Sequence, residues 1–218
     1  MQTKEQLTQL LTSPCEQART IVPMKSGMSL EIIDLSRWPE RGRDTVEFIV
    51  EKYRKHLGIE LSTDDAHHWN PSGVVFTLRH HGTVVATGQL ADPAHERSDY
   101  RERFPDDVLP PNSLEMTRVV ATRRTTPGPT YFETLLFAGV PYVRRMRVQY
   151  IVAMSRDHMR PILRRFGISP THGPIHVGEK HLYFTYLIPL RRFQILGRAL
   201  SPLLYARRRM ISWRRTMR

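Results

Sequence analysis

The stretch Leu114-Glu115-Met116-Thr117-Arg118-Val119-Val120-Ala121, near the middle of the 218-residue chain, decides how the rest is read. It alternates like a strand, yet it carries a carboxylate and a guanidinium three positions apart. Side chains three apart on a regular strand point to opposite faces, so Glu115 and Arg118 act together only across a bulge or a strong twist. A Glu115 turned into a cleft would orient an amine or its water, with Arg118 anchoring an anion or bracing the site. The alternative is an ordinary strand with two solvated charges. The flanking sequence has to decide.

Working outward, Arg123-Arg124-Thr125-Thr126-Pro127-Gly128-Pro129 is a loop feeding a helix. That helix buries Phe132, Leu135, Leu136, Gly139, Val140, Val143 and Met146 at helical spacing, with Pro141 as a kink. Val148 to Met154 is a continuous apolar run, the mark of a central strand. Ser155 is expected to cap a further helix closed by Gly167, and His181 to Ile188 to form a last strand. Upstream, Ser29 to Leu35 reads as a strand and Asp44 to Leu57 as a helix ended by Gly58. Val74 to Arg79 and Thr83 to Leu90 flank His80-His81-Gly82 as a hairpin. Asp92 to Asn112 and Ser169 to Glu179 read as irregular. The alternation predicts a single α/β sheet covered by helices over residues 28–190. Residues 1–27 are expected to be a loosely attached lead-in and 191–218 a basic amphipathic helix.

Composition narrows the function classes. The net charge is +12, but nine arginines and no acidic residue lie between Arg191 and Arg218. Without them 24 basic residues face 21 acidic ones, a net of +3. The charge is a property of the tail, which argues for one local acidic surface and against a protein-wide nucleic-acid footprint. The single cysteine, Cys15, rules out an internal disulfide. No apolar run is long enough for a membrane span, and the first residues lack a secretory signal, so a cytoplasmic location is expected. Histidines at 67–68, 80–81, 172, 176 and 181 match no metal-ligand pattern; no metal is expected.

The order of elements resembles the GNAT acyltransferase fold. Over residues 44 to 188 the spacing is similar to the acyl-homoserine-lactone synthases of the LuxI type and to the N-acyl amino acid synthases. The resemblance rests on Glu51-Lys52-Tyr53-Arg54, Val84-Val85-Ala86-Thr87-Gly88-Gln89-Leu90, Phe104-Pro105, Glu115-Met116-Thr117-Arg118 and Phe166-Gly167-Ile168. It implies an enzyme that moves a fatty acyl group from a thioester to a small amine, an amino acid or S-adenosylmethionine, as in autoinducer (quorum-sensing) synthesis. Glu115 and Arg118 would be the catalytic pair, and Arg54, Asp64, Asp65, Trp69, Gln89 and Phe104 would bind the acceptor. The chain departs from the lactone synthases on that acceptor side. Adjacent Asp64-Asp65 stand for their Asp-x-Asp pair, Gln89 for their hairpin arginine, and only Trp69 offers a tryptophan after the first helix. Another amine can therefore replace S-adenosylmethionine.

The donor is read from the loop after the Glu-x-x-Arg strand. CoA-using relatives carry a glycine-rich loop whose amides hold pyrophosphate at a helix N-terminus. Here Gly128 stands alone and two prolines remove amide donors. A carrier protein presents one phosphodiester, for which Arg123, Arg124 and the amides near Thr130 and Tyr131 suffice. Acyl-carrier protein is thus the expected partner, with Arg144 and Arg145 as docking residues and acyl-CoA as the alternative donor. No tightly bound cofactor is expected. Leu135, Phe132, Val152 and Met154 are positioned to line an acyl slot, or to be plain core. Two rival readings are a CoA-dependent acetyltransferase and a non-catalytic membrane- or nucleic-acid-binding protein.

The tail repeats Phe193, Leu196, Leu200, Leu203 and Leu204 among arginines, which suits an anionic membrane surface or an acidic protein. Full-length protein is expected to co-sediment with anionic liposomes more than a chain truncated at Arg191; equal partitioning contradicts membrane contact.

Overall fold

The computed structural model describes residues 19–24, 27–34, 42–61, 72–123, 130–132, 134–135, 138–139, 143, 147–165, 167–177 and 181–192. Its frame is one eight-stranded sheet. The strands are β1 (Arg19–Pro23), β2 (Met28–Asp34), β3 (Val74–His80), β4 (Thr83–Ala91), β5 (Ser113–Ala121), β6 (Tyr150–Arg156), β7 (His172–Val177) and β8 (His181–Pro189). They lie in the order β1-β2-β3-β4-β5-β6-β8-β7. Every neighbouring pair is antiparallel except β5 and β6. A parallel pair needs a crossover, and residues 131–143, helical wherever they are described, lie in it.

The β3–β4 hairpin closes as its sequence demands. His81 and Gly82 both take positive φ, 50° and 81°, the backbone of a tight hairpin turn. Helix α1 (Arg43–Leu57) ends at Gly58, whose φ of 67° lets its amide reach the Arg54 carbonyl. The free carbonyl of His56 accepts from Arg156 Nη2 at 3.0 Å and lies 2.8 Å from His181 Nε2, which pins the end of α1 to β6 and β8.

The two faces of the sheet differ in chemistry. One carries the main core, including Phe76, Leu78, Leu114, Ile151, Phe184 and Tyr186, packed with Tyr131, Leu135 and Val143. Burying each large apolar side chain stabilises by roughly 1.5–3 kcal/mol. Under α1 the apolar contact is thin: Val46 and Ile49 pack with Val50, Tyr53 and Val120. Buried polar groups fill the rest of that face, with Thr77 hydrogen-bonded to Thr45 at 3.4 Å. Arg79 joins it, donating to Glu31 Oε2 at 2.6 Å and to Asp44 Oδ2 at 2.6 Å. That guanidinium holds the Asp44 carboxyl below its usual range. It ties β2, β3 and the first turn of α1 together.

The structure departs from the sequence expectations at four places. Arg19–Pro23 pairs with β2, so the sheet begins inside the stretch expected to be a loose lead-in. The irregular 92–112 stretch contains helix α2 (Asp99–Arg103), capped by Ser98, whose Oγ accepts from the Arg101 amide. Ser155 is a strand residue and caps no helix. Strand β6 runs on to Arg156, a short 3-10 turn follows (Asp157–Met159), and helix α3 covers Arg160–Arg165. The turn-rich piece after Ser169 supplies β7, whose half-exposed edge position conceals the alternation a strand usually shows. Among the described residues no helix is long and apolar enough to cross a membrane.

Candidate active site

Strand β5 is not regular. Gln89 pairs with Thr117 and Thr87 with Val120, so one residue of β4, Gly88, faces two of β5. The extra residue is accommodated by Arg118, whose φ is +53°. A left-handed arginine is costly, and the bulge is held by Thr87 Oγ1 donating to the Arg118 carbonyl at 3.1 Å. The bulge resets the facing of everything after it. Val120 falls under α1 with Thr117, while Met116 and Val119 share the opposite face. Glu115 and Arg118, opposite by simple alternation, converge on one segment. The bulge that joint action of the two side chains requires is present in β5.

That segment is residues 98–107. Glu115 is 3% exposed, and its Oε2 accepts from Ser98 Oγ at 2.7 Å while Oε1 accepts from the Tyr100 amide at 2.8 Å. Arg118 grips the residue between them, pairing with Asp99 through Nη1 and, at 3.2 Å, through Nη2. Tyr53 of α1 lies against Arg118 and Asp99, and burial raises its phenol. Beyond α2, the Tyr100 hydroxyl bonds to Asp107, and burial together with that carboxylate pushes the Tyr100 phenol up. Asp107 Oδ2 lies 3.4 Å from His172 Nε2, and the Phe104 ring packs 4.2 Å from the His172 ring. The segment thus runs from β5 to β7 on the α1 side of the sheet.

Burial dominates the titration of Glu115. Desolvation pushes its carboxyl up to about 7, against the pull of the Ser98 and Tyr100 hydrogen bonds and of Arg118. A carboxyl at that value exchanges a proton near neutrality, and each carboxylate oxygen retains a second lone pair beside the bond it already accepts.

On the other side of the sheet, β5 and β6 pair only from Ser113–Tyr150 to Met116–Ala153 and then part. Beside this notch a small apolar pocket, open at its mouth, lies between the sheet and the 131–143 helix. Phe76, Leu90, Met116, Leu135, Val143 and Ile151 are among its walls. Of the four residues read as acyl slot or plain core, Leu135 lines this pocket. Phe132, Val152 and Met154 are not among the lining residues, because Val152 and Met154 share the opposite face of β6 from Ile151.

The remaining expected site residues are scattered. Gln89 is buried on the Glu115 face, 3.4 Å from Thr117 Oγ1. Phe104 serves as the C-cap of α2 and stacks on Tyr100 and His172. Arg54 is exposed on α1, and the helix turns Tyr53, not Arg54, toward Arg118. Arg123 is exposed just past β5, and Thr130 and Tyr131 open the crossover helix. The Tyr131 side chain itself is buried, its hydroxyl 3.0 Å from His80 Nδ1. Asp64, Asp65, Trp69, Arg124, Arg144 and Arg145 lie outside the described residues. The sequence reading missed Ser98, Asp99 and Asp107; Ser-Asp ahead of Tyr100 is a helix-capping signal that was legible.

No family model and no curated protein matches the sequence. Solved structures do match in fold. The AHL synthase LasI superposes with a TM-score of 0.60 at 15% identity, covering 78% of this chain and 94% of its own. FeeM, an N-acyl amino acid synthase from uncultured soil microbes, gives 0.57 at 12%, covering 81% and 96%. BjaI, a CoA-dependent acyl-homoserine lactone synthase determined with SAM and isopentyl-CoA, gives 0.55 at 14%, covering 78% and 87%. The GNAT-like acyltransferase fold expected from the sequence is the fold observed.

The Glu115 geometry fixes a pH dependence. A carboxyl near 4.5 when unfolded and about 7 when folded binds more protons in the native state between those values. Its contribution is complete below the unfolded value and is lost as the pH rises through 7. The separation corresponds to about 3 kcal/mol at most. In urea unfolding, Glu115→Gln is therefore expected to gain stability relative to wild type between pH 4.5 and 8. A difference that does not change with pH contradicts the buried, neutral-poised carboxyl.

Proposed function

We propose that this protein is an N-acyltransferase that moves a fatty acyl group from a thioester to a small amine. The observation that carries this reading is the notch between β5 and β6, with an apolar pocket on one side and the Glu115–Arg118 clamp on the other. The acyl chain enters the pocket. Strand β5 beyond Met116, no longer laddered to β6, offers backbone amides to the thioester carbonyl as its oxygen gains charge. The amine approaches from the α1 side, over the 98–107 segment, where Tyr53, Gln89, Thr117 and Met154 also lie. Its nitrogen forms a bond to the carbonyl carbon, the carbon–sulfur bond breaks, and the thiol leaves with a proton. Glu115 positions the segment that meets the amine and takes the amine's proton through its remaining lone pair or a water.

The apolar lining of the pocket favours a hydrocarbon chain over a polar group. The donor is an acyl-carrier protein: Arg123 is exposed just past β5, and the 123–129 sequence lacks a pyrophosphate pattern. An acyl-CoA donor is the second reading, supported by the fold shared with CoA-dependent BjaI. The acceptor is an amino acid or S-adenosylmethionine, in keeping with the fold shared with FeeM, an N-acyl amino acid synthase, and with BjaI, determined with SAM.

Purified protein is given dodecanoyl-carrier protein, dodecanoyl-CoA or acetyl-CoA with an amino-acid mixture or S-adenosylmethionine, and products are read by mass spectrometry. An N-dodecanoyl product is expected, its rate falling at least about 100-fold in Glu115→Ala. Product from acetyl-CoA alone would favour an acetyltransferase. No product from any donor would leave a binding protein.

A further inference from the structure

On the α1 side of the sheet the buried and half-buried cations are matched with carboxylates, and Arg156 breaks the pattern. Arg79 is held by Glu31 and Asp44, Arg118 by Asp99, and Lys52 by Glu51. Arg156 is half-buried, and among the described residues no carboxylate pairs with it. Its contacts are with neutral groups: Nε donates to the Tyr183 hydroxyl at 3.1 Å and Nη2 to the His56 carbonyl at 3.0 Å. Those two bonds fix the plane of the guanidinium and use two of its five N–H donors. Nη1 and Nη2 each keep a donor, the fork that meets both oxygens of one carboxylate. The surrounding charge has the same sign. Burial, then Lys52, Lys55 and Arg156, hold the His56 imidazole below its ordinary value, and the carboxylate that opposes them, Glu51, is already taken by Lys52. Asp157, next in the chain, acts instead on Tyr186 in the main core, across the sheet. A guanidinium drawn partly out of water without a counter-ion is completed by an anion from solution.

Arg156 also stands on the path of the acyl acceptor. It shares a face of β6 with Val152 and Met154, and it follows Ala153, the last residue of β6 to pair with β5. It therefore belongs to the part of β6 that β5 has left. Across that gap the Arg118 amide donates to the Tyr53 hydroxyl, and Tyr183 is among the groups that act on this phenol. Tyr183, in turn, is the residue that Arg156 holds. We propose that Arg156 is a specificity-determining residue that binds the carboxylate of the acyl acceptor. The inference rests on the acyl-transfer reading and deepens it by naming what the acceptor carries besides its nitrogen. An amino acid supplies that carboxylate, and so does the amino-acid end of S-adenosylmethionine; a simple amine does not. From Ala153 to Arg156 an extended strand spans about 10 Å. The arginine side chain and the acceptor cover that distance between them, so the anchored carboxylate sets how the nitrogen meets the thioester.

The test offers acceptors in pairs that differ only in the carboxylate: leucine and isopentylamine, phenylalanine and phenethylamine, S-adenosylmethionine and its decarboxylated form. Dodecanoyl-carrier protein and dodecanoyl-CoA are the donors, N-dodecanoyl products are read by mass spectrometry, and thermal unfolding is followed in parallel. In wild type, kcat/KM is expected to favour the carboxylate member of at least one pair by at least about tenfold, and that pair tells an amino acid from S-adenosylmethionine. In Arg156→Gln the preference is expected to fall at least about tenfold, through the KM of the acceptor and not that of the donor, with Arg156→Lys between the two. An arginine that only pins the end of α1 would lower both members of a pair alike and leave their ratio unchanged. If the variants do not fold, the salt dependence of wild type decides. Raising sodium chloride is expected to reduce the preference, and a ratio indifferent to salt overturns the anchor. A preference equal in wild type and Arg156→Gln, or product without any preference, sinks the inference and leaves acyl transfer standing. Product from no acceptor overturns the acyl-transfer reading, and the inference falls with it.

Discussion

The backbone of Arg118 is the constraint on which the site depends. A single left-handed residue in β5, opposite Gly88, shifts the facing of the strand by one position. With the shift, Glu115 and Arg118 meet the same segment and Met116 and Val119 line the same pocket. Without it, the strand would present one member of each pair to the wrong side. The cost of a left-handed, β-carbon-bearing residue is of order 1–3 kcal/mol. It is offset locally by the Asp99 ion pair and by the Thr87 hydroxyl on the Arg118 carbonyl. The bulge also ends the region where β5 can follow β6, since their ladder stops at Met116.

From that point the two faces of the sheet take separate tasks. The helix-covered face carries the core and the apolar pocket. The α1 face is thinly packed and polar, and it is roofed by residues 98–107. That roof is held at three places: Ser98 and Tyr100 by Glu115, Asp99 by Arg118, and Asp107 and Phe104 by His172. The carboxyl at the root of the clamp titrates near neutrality, so the hold on the roof and a proton exchangeable near neutral pH involve the same group.

Much of this frame is legible in the sequence, because long apolar stretches and turn residues speak for themselves. The β3–β4 hairpin, helix α1 with Gly58, β5 and β8 follow from alternation, helical spacing and glycine. The bulge is another matter. Leu114 to Ala121 announces a conflict between parity and a Glu-x-x-Arg pair, but which residue absorbs it depends on Gly88 across the ladder. The roof is hidden for a related reason: Ser98 and Asp99 look like solvated loop residues until Glu115 and Arg118 supply buried partners. Strand β7 lies at the sheet edge, where half-exposed side chains erase the period. In β6 the choice between slot and plain core stayed open, since a continuous apolar run cannot say that Ile151, and not Val152, faces the helix.

The clamp itself is tested most directly by amide hydrogen exchange in Glu115→Ala against wild type. The Tyr100 amide loses its acceptor, and the Ser98 hydroxyl that receives the Arg101 amide loses its own. Leaving such buried donors unpaired costs about 1–3 kcal/mol each. Protection at Tyr100, Arg101, Glu102, Phe104 and Asp107 is therefore predicted to fall at least about tenfold while β3 and β4 keep theirs. Unchanged protection in this segment, or an equal loss throughout the sheet, would contradict a clamp built on the β5 bulge.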